Sequence, residues 1–491
     1  MWREDPELAI RQQTEIETEK RDRAEDQALS LSALSVSSKP PSAVRADPKL
    51  PFLEMAWSPS QMQEFFNHRV LPPVWPGQEV TSVAIDDVTY RVGEQCELLY
   101  ALQFADPSRG QSRWAVVTFA KKKKLREIYQ RHYGGGGGAS TRPTPCPVMF
   151  LPEYGCLVEF FPLDWHLPFL ARAMEPEEVA SLLSQGDPAA ERLRGLPKVE
   201  VLRYRLRKRC TLRYTMDAQD SSGPKEVIGK VHSPVSLAVQ VAQTQNTLRE
   251  QGAAYGIIIP KPLRVMEEWG LLLMERIPGT MLQVVMKQAQ TPQQPKEVIG
   301  LAAATLTNLH RLRFESQKVQ SLQSRAEKLR RRVGSLRLVA PLLAQEVDIL
   351  LQQIERLGAR FTVVTQTCVH GDFSPLQILI EKDQMGVVDF DSVCLGDPAI
   401  DVGNFMANLH STAIRPARNA FRQLATHFLS EYQARLPEHR VADRVHLFLS
   451  LFLVRRALRE FERRRYDYGQ ADANSLPVLL LQEAAACLKE N

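Results

Sequence analysis

A chain of 491 residues exceeds what one hydrophobic core ordinarily supports, so two or three structural units are expected. With 44% hydrophobic and 24% charged residues the composition is that of an ordinary soluble globular protein, and a net charge of +5 is too small at this length to argue for a nucleic-acid binder. No apolar run approaches the roughly 20 residues of a membrane span. The charged start, Met1-Trp2-Arg3-Glu4-Asp5, lacks the apolar stretch of a signal peptide. The seven cysteines are scattered without a CxxC pair, which indicates neither a zinc site nor a disulfide framework and fits a reduced cytoplasm.

Residues 1–50 are polar and read as a mobile leader, with a charged helix from Glu7 to about Leu29. Ser58 caps a helix that precedes the Pro-rich Leu71-Pro72-Pro73-Val74-Trp75-Pro76. A repeat follows. Tyr90-Arg91 and then Cys96-x-Leu98-x-Tyr100 recur as Tyr204-Arg205 and Cys210-x-Leu212-x-Tyr214, 114 positions on, each a strand, a turn and a strand. Tyr154-Gly155, leading to Pro162, recurs at nearly the same displacement as Trp269-Gly270, leading to Pro278. Between these motifs Lys121 to Lys124 reads as a solvated face, and Gly134 to Gly138 as a flexible loop. Residues 176–196 form a short helical connector. Aligning the copies sets Phe119 of the first opposite Lys230 of the second, a lysine in an otherwise apolar strand that calls for a partner or ligand.

Ser233 to Gln251 is an amphipathic helix carrying Gln240, Gln243 and Gln245, with Glu250 its only acid. From Pro292 the composition turns helical. Val298 to Arg313 is a buried helix with His310 as a packing residue. Ser321 to Leu357 is a helix pair with Arg325, Lys328, Arg330, Arg331 and Arg332 as a basic cluster, by default a solvated face. Residues 414–490 add three or four helices; Leu447 to Val454 is buried and Arg455 to Arg465 a more solvated continuation. Between these helical blocks stands Cys368-Val369-His370-Gly371-Asp372, then Gln377, then Val388-Asp389-Phe390-Asp391. It reads as apolar strands ending in polar turns, with Asp372 and Asp389 on one edge of a small sheet. Two carboxylates held together there repel unless a cation lies between them.

His370-Gly371-Asp372, Asp389-Phe390-Asp391 and Gly396-Asp397-Pro398-Ala399-x-Asp401-x-Gly403-Asn404, in that order, resemble the aminoglycoside phosphotransferase-like branch of the protein-kinase fold. The resemblance implies an α+β, protein-kinase-like bilobal fold with a small β-rich lobe and a helical lobe. By it, the first copy is a degenerate repeat of the small lobe that has lost the phosphate-contacting lysine. The units are then a leader (1–50), a degenerate module (51–196), a nucleotide-binding lobe (197–280) and a helical lobe with the catalytic loop (281–491). It implies ATP and Mg²⁺ as cofactors and a hydroxyl of a small molecule (sugar, amino sugar or amino alcohol) as acceptor, with no nucleic-acid or membrane partner. Oligomeric state stays open.

The implied roles are Asp372 as base, His370 as a brace of its loop, and Lys230 on the phosphates. Met274, Glu275 and Arg276 form the hinge that holds adenine, and Gln377, Asp389 and Asp391 hold the metal. Asp397 and Asp401 would hold the catalytic loop by accepting backbone N–H bonds. Two departures stand out: the Ser233–Gln251 helix lacks the family's mid-helix Glu, and the turn Leu206-Arg207-Lys208-Arg209 lacks glycine, so its cations either face phosphate or are simply exposed. They leave open a second reading, a pseudokinase that binds nucleotide or serves as a scaffold.

Overall fold

The structure is a computed structural model, and it describes residues 47–106, 114–134, 148–184, 193–218, 225–288, 293–361, 364–382, 384–414, 420–463 and 475–489. The leader up to Ala46 and the glycines 135–138 lie outside the described residues. The fold is α+β: two β-rich units in tandem, then a helical lobe.

The repeat folds as one topology twice. Strands β1 (Val80–Arg91), β2 (Gln95–Phe104), β3 (Trp114–Ala120), β4 (Val148–Leu151) and β5 (Cys156–Phe160) form an antiparallel sheet of order β1-β2-β3-β5-β4. Strands β6 (Leu193–Arg205), β7 (Arg209–Ala218), β8 (Lys225–His232), β9 (Pro262–Met266) and β10 (Leu271–Glu275) form a second sheet of order β6-β7-β8-β10-β9. Tyr90 pairs with Cys96 in one hairpin, and Tyr204 with Cys210 in the other. Register corrects one alignment. Cys96 pairs with Phe119 and Cys210 with Val231, so Thr118, not Phe119, stands where the second sheet has Lys230.

Helix α1 (Pro59–Phe65), with Ser58 at its N-cap, buries Met62 and Phe65 against the first sheet. The tandem sheets share a core in which Leu99 and Val116 of the first lie with Leu212, Tyr214 and Leu271 of the second. Lys121 to Lys123, at the start of helix α2 (Lys122–His132), are exposed as expected. Among its described residues the connector is helical over α3 (Pro176–Ser184), and from Leu193 it is strand instead, because pairing of β6 with β7 reaches back to Leu193–Ala218. Pro197, which cannot donate to a ladder, falls at the register shift between Arg194 and Lys198.

Helix α4 (Ser236–Ala253) packs Ala238, Val241 and Ala242 against Leu272 and Met274 on the other face of the second sheet. The helical lobe comprises α5 (Gln293–His310), α6 (Leu322–Val339), α7 (Pro341–Gly358), α8 (Ala399–Ala413), α9 (Ala420–Arg435), α10 (Val445–Arg463) and α11 (Leu476–Lys489) around one apolar core. That core takes in Ala457, Leu458 and Phe461. The stretch after Val454 is therefore packed, not the solvated continuation its arginines suggested.

Candidate active site

Asp372 and Asp389 sit at strand ends, but of two small sheets rather than one. Thr367–Val369 leads into the His370 loop and pairs with Cys394–Gly396, while Gln384–Val387 leads to Asp389 and pairs with Ile378–Glu381. Gly371 has φ +80°, and a Cβ there would lie 2.5 Å from the Ser392 carbonyl oxygen, so the turn requires glycine.

Asp401, fully buried at the start of α8, holds this turn from beneath. Its carboxylate accepts from the backbone N–H groups of His370 (2.6 Å) and Gly371 (2.8 Å), the role expected of it. Burial raises its pKa, but the His310 hydrogen bond and the charges and N–H groups around it draw it below the usual carboxylate range. His310 is more than packing: one ring nitrogen lies 3.2 Å from Asp401 and the other 2.7 Å from the Tyr432 hydroxyl. Asp397 works differently from expectation, taking Arg444 through both oxygens at 2.6 and 2.8 Å and the Ala399 N–H. Asp401→Ala should cost about 3 kcal/mol in urea unfolding, because several buried donors lose their acceptor at once.

His370 braces the loop, its Nε2 donating to the Val388 carbonyl at 3.0 Å beside Asp389. Asp372 is held by Arg455, which reaches both its carboxylate (3.0 Å) and the Asn404 amide oxygen (3.1 Å). Burial pushes the Asp372 pKa up, and Arg455 pulls it down further, so the group is ionised at neutral pH.

Lys230 lies between two carboxylates, with Nζ 2.6 Å from Oδ1 of Asp389 and 2.6 Å from Oδ1 of Asp391. Helix α4 gives it no acid: Gln240 and Gln243 are exposed, and buried Gln245 donates to the Pro260 carbonyl. Arg209 closes the other side of the pair, with one nitrogen on Asp391 and another 2.9 Å from Asp389. Gln377 is buried, and its amide oxygen accepts from the Ser374 hydroxyl. Its backbone carbonyl takes the Val388 N–H at 3.0 Å, so it lies alongside the Asp389 turn.

The residues expected to form the hinge stand apart from this cluster. Met274 and Glu275 pair with Ile228 and Val227, the Glu275 N–H goes to the Lys261 carbonyl at 2.9 Å, and Arg276 pairs with Glu226. None of the three lines the cavity of about 440 Å³ into which Asp372 and Asp391 open.

The three cations of the glycine-free turn have separate fates. Lys208 lines the cavity and Arg209 meets the carboxylates. Arg207, at φ +60° where the first copy has Gly93 at φ +69°, is buried in the first module. There it pairs with Glu97 (2.7 Å), Glu159 and Asp164 (3.0 Å), touches Thr118, and stacks 3.4 Å from the Trp165 ring centre. The first module's counterpart of the lysine site is thus filled by a guanidinium from the second.

From sequence Arg207 and Arg209 stood out only as cations of the glycine-free turn, where the first copy has Gly93-Glu94-Gln95, with contact to phosphate and plain exposure both open; Arg455 was not singled out as a site residue.

Residues 215–440 match the phosphotransferase enzyme family. No curated protein matches the chain. Solved structures similar to it include a choline kinase from Cryptosporidium parvum (13% identity, 64% of this chain and 96% of that one, TM-score 0.46). Others are a Plasmodium vivax ethanolamine kinase (11%, 77% and 97%, TM-score 0.42) and a macrolide 2'-phosphotransferase from Brachybacterium faecium (18%, 64% and 99%, TM-score 0.38). The matched segment carries Lys230, Asp372 and Asp389, so this part of the chain is similar to the phosphotransferase enzyme family.

Proposed function

We propose that the protein transfers the γ-phosphate of ATP, with Mg²⁺, to a hydroxyl of a small molecule. The observation that carries this reading is the convergence of Lys230 on Asp389 and Asp391, with Asp391 and an ionised Asp372 lining one cavity. Asp372 would accept the proton of the attacking hydroxyl, kept in place by Arg455 and by the Asp401-bound loop. Lys230 would meet the nucleotide phosphates.

The donor chemistry suits a hard divalent cation: Asp389 and Asp391 offer carboxylate oxygens, two of which converge on the Lys230 ammonium, and Gln377 has a lone pair left on its amide oxygen after Ser374. Bound there, the metal neutralises charge on the transferring phosphoryl group. With the Glu275 N–H engaged, backbone contact to an adenine edge falls to Arg276 and the residues beyond it.

The six described cysteines are buried, in keeping with a cytoplasmic setting, and no helix among the described residues is long and apolar enough to cross a membrane. The second reading, a nucleotide-binding or scaffold protein, draws on the completeness of the ion-pair cluster: Lys230 and Arg209 already neutralise both carboxylates.

The test is ADP release by purified protein with MgATP and a panel of hydroxyl acceptors. Asp372→Asn should lower kcat by about 10²–10⁴-fold while leaving nucleotide affinity near that of the parent. Nucleotide binding with no acceptor-stimulated turnover, and residual hydrolysis equal in the variant, would favour the scaffold.

A further inference from the structure

The cavity beside Asp372 is lined by far more positive than negative charge. Six cations face it, Arg205, Lys208, Arg209, Arg325, Lys328 and Arg455, against Asp372 and Asp391. Both acids are already engaged, Asp391 by Lys230 and Arg209, and Asp372 by Arg455. No carboxylate among the described residues forms an ion pair with Arg205, Lys208, Arg325 or Lys328.

Helix α6 makes the contrast on its own. Arg330 pairs with Glu355, Arg331 with Glu327 and Arg332 with Glu462, which is how a solvated basic face satisfies itself. Arg325 and Lys328 of the same helix turn to the cavity instead. Arg325 donates only to the Gly371 carbonyl (3.2 Å), next to Asp372, and its Nε is buried without a partner. Burial, and then the neighbouring Arg455, push the Arg325 pKa down to about 10; Arg205 is likewise lowered to about 10 by burial and its arginine neighbours. Half-buried guanidinium groups that repel one another are stabilised by an incoming anion.

The nucleotide phosphates do not account for Arg325 and Lys328. Under the proposed function those phosphates lie on Lys230, toward the β-rich lobe, whereas Arg325 and Lys328 sit on the helical lobe on the Asp372 side. This step rests on that reading of the site.

We infer that the acceptor is itself an anion: a hydroxyl compound that already carries a phosphate or a carboxylate, seated on Arg325 and Lys328 with its hydroxyl toward Asp372. In the transfer the acceptor oxygen forms a bond to the γ-phosphorus as the bond to the bridging oxygen of the β-phosphate breaks. ADP leaves with that electron pair, and Asp372 takes the hydroxyl proton.

The experiment compares matched acceptors with the full-length protein and MgATP: glucose, glucosamine, glucose 6-phosphate and gluconate. One of the two anions should exceed glucose and glucosamine in kcat/KM by at least about tenfold, and which one does so tells phosphate from carboxylate. Arg325→Gln with Lys328→Gln should erase that preference through KM, leaving fluorescent-ADP affinity unchanged. In parallel, inorganic phosphate is titrated into protein saturated with MgADP; the parent should bind it and the double variant should not. A neutral or cationic acceptor used best overturns the inference, as does an anion preference that survives the double variant. If no acceptor is turned over, absence of phosphate binding to the MgADP-saturated protein overturns it as well. Failure to bind nucleotide at all would overturn the proposed function instead, and phosphate binding lost in the double variant would still support the anion site.

Discussion

Replacing Arg207 with Leu should destabilise the protein by about 3–5 kcal/mol and lower turnover at a site that Arg207 does not touch. The guanidinium is buried among Glu97, Glu159 and Asp164, and no other cation pairs with those acids among the described residues. Removing it leaves three carboxylates out of water without a counter-charge, which costs far more than loss of a surface pair. The side chain also spans the modules: it belongs to the β6–β7 turn, and its partners lie on β2, β5 and the segment after β5.

Arg209, two residues on, reaches Asp389 and Asp391. The left-handed backbone at Arg207 costs about 1–2 kcal/mol, which its ion pairs must offset, so the variant relaxes the turn that aims Arg209. Denaturant unfolding read at Trp165, which stacks on Arg207, checks the stability, and kcat checks the coupling.

The pH dependence has a definite sign. Burial raises the Glu159 pKa even with Arg207 beside it, so ionised Glu159 weighs against folding at neutral pH, and that loss is relieved as pH falls through the raised value. Without Arg207, Glu159 rises further and Asp164 loses the charge that helps hold it below its usual range. The gap between variant and parent should therefore be widest near neutrality and narrow toward about pH 4–5.

The strand-turn-strand that carries Asp372 and Asp389 was legible because its geometry is local. Gly371 is forced by its φ, Asp401 lies on the next helix to meet the loop's N–H groups, and Asp389 follows a strand of four residues. Helix positions followed from periodicity within a few residues. Lys230 was legible as a buried lysine, and its pairing with Asp389 follows once α4 offers glutamines mid-helix and no acid before Glu250.

The rest failed where long-range contact decides. Thr118 rather than Phe119 faces the lysine position because inter-strand register, not the count along the chain, sets equivalence. Lys208 and Arg209 face the site, while Arg207 between them and Tyr204 turns the other way; a tight turn with one left-handed residue gives no period to read. Arg455 looked solvated by composition, and the helix it sits on is held by Ala457, Leu458 and Phe461 instead.

Lys230→Met tests the other buried cluster, and its effect should appear in both stability and turnover. Lys230 is 7% exposed in its side chain, Asp391 6% and Asp389 17%, so solvent screens this set weakly. Burial alone would push both acids up, but Lys230 outweighs it with help from Arg209, and His232 adds a hydrogen bond to Asp391, so both fall below the usual range. Acids depressed in the folded state stabilise it above their unfolded pKa, near 4, and that contribution drains away as pH falls through the folded values.

Removing Lys230 should therefore cost about 3–5 kcal/mol at pH 7. The loss should shrink as pH drops below about 4, where the unfolded chain binds the same protons. Arg209 alone cannot neutralise two carboxylates, so one of them should take up a proton at a higher pH than in the parent. The acid limb of the rate profile then moves upward, and kcat at its optimum falls by about 10²–10³-fold through lost stabilisation of the transferring phosphoryl group. A variant with parental melting at pH 7, or an unmoved acid limb, would place the charge balance of Asp389 and Asp391 elsewhere. Arg209→Ala separates the two cations: it should weaken the same carboxylate cluster and leave Lys230 on both acids. Its acid limb should therefore move less than that of Lys230→Met, since the cation it removes ranks below Lys230 at both acids.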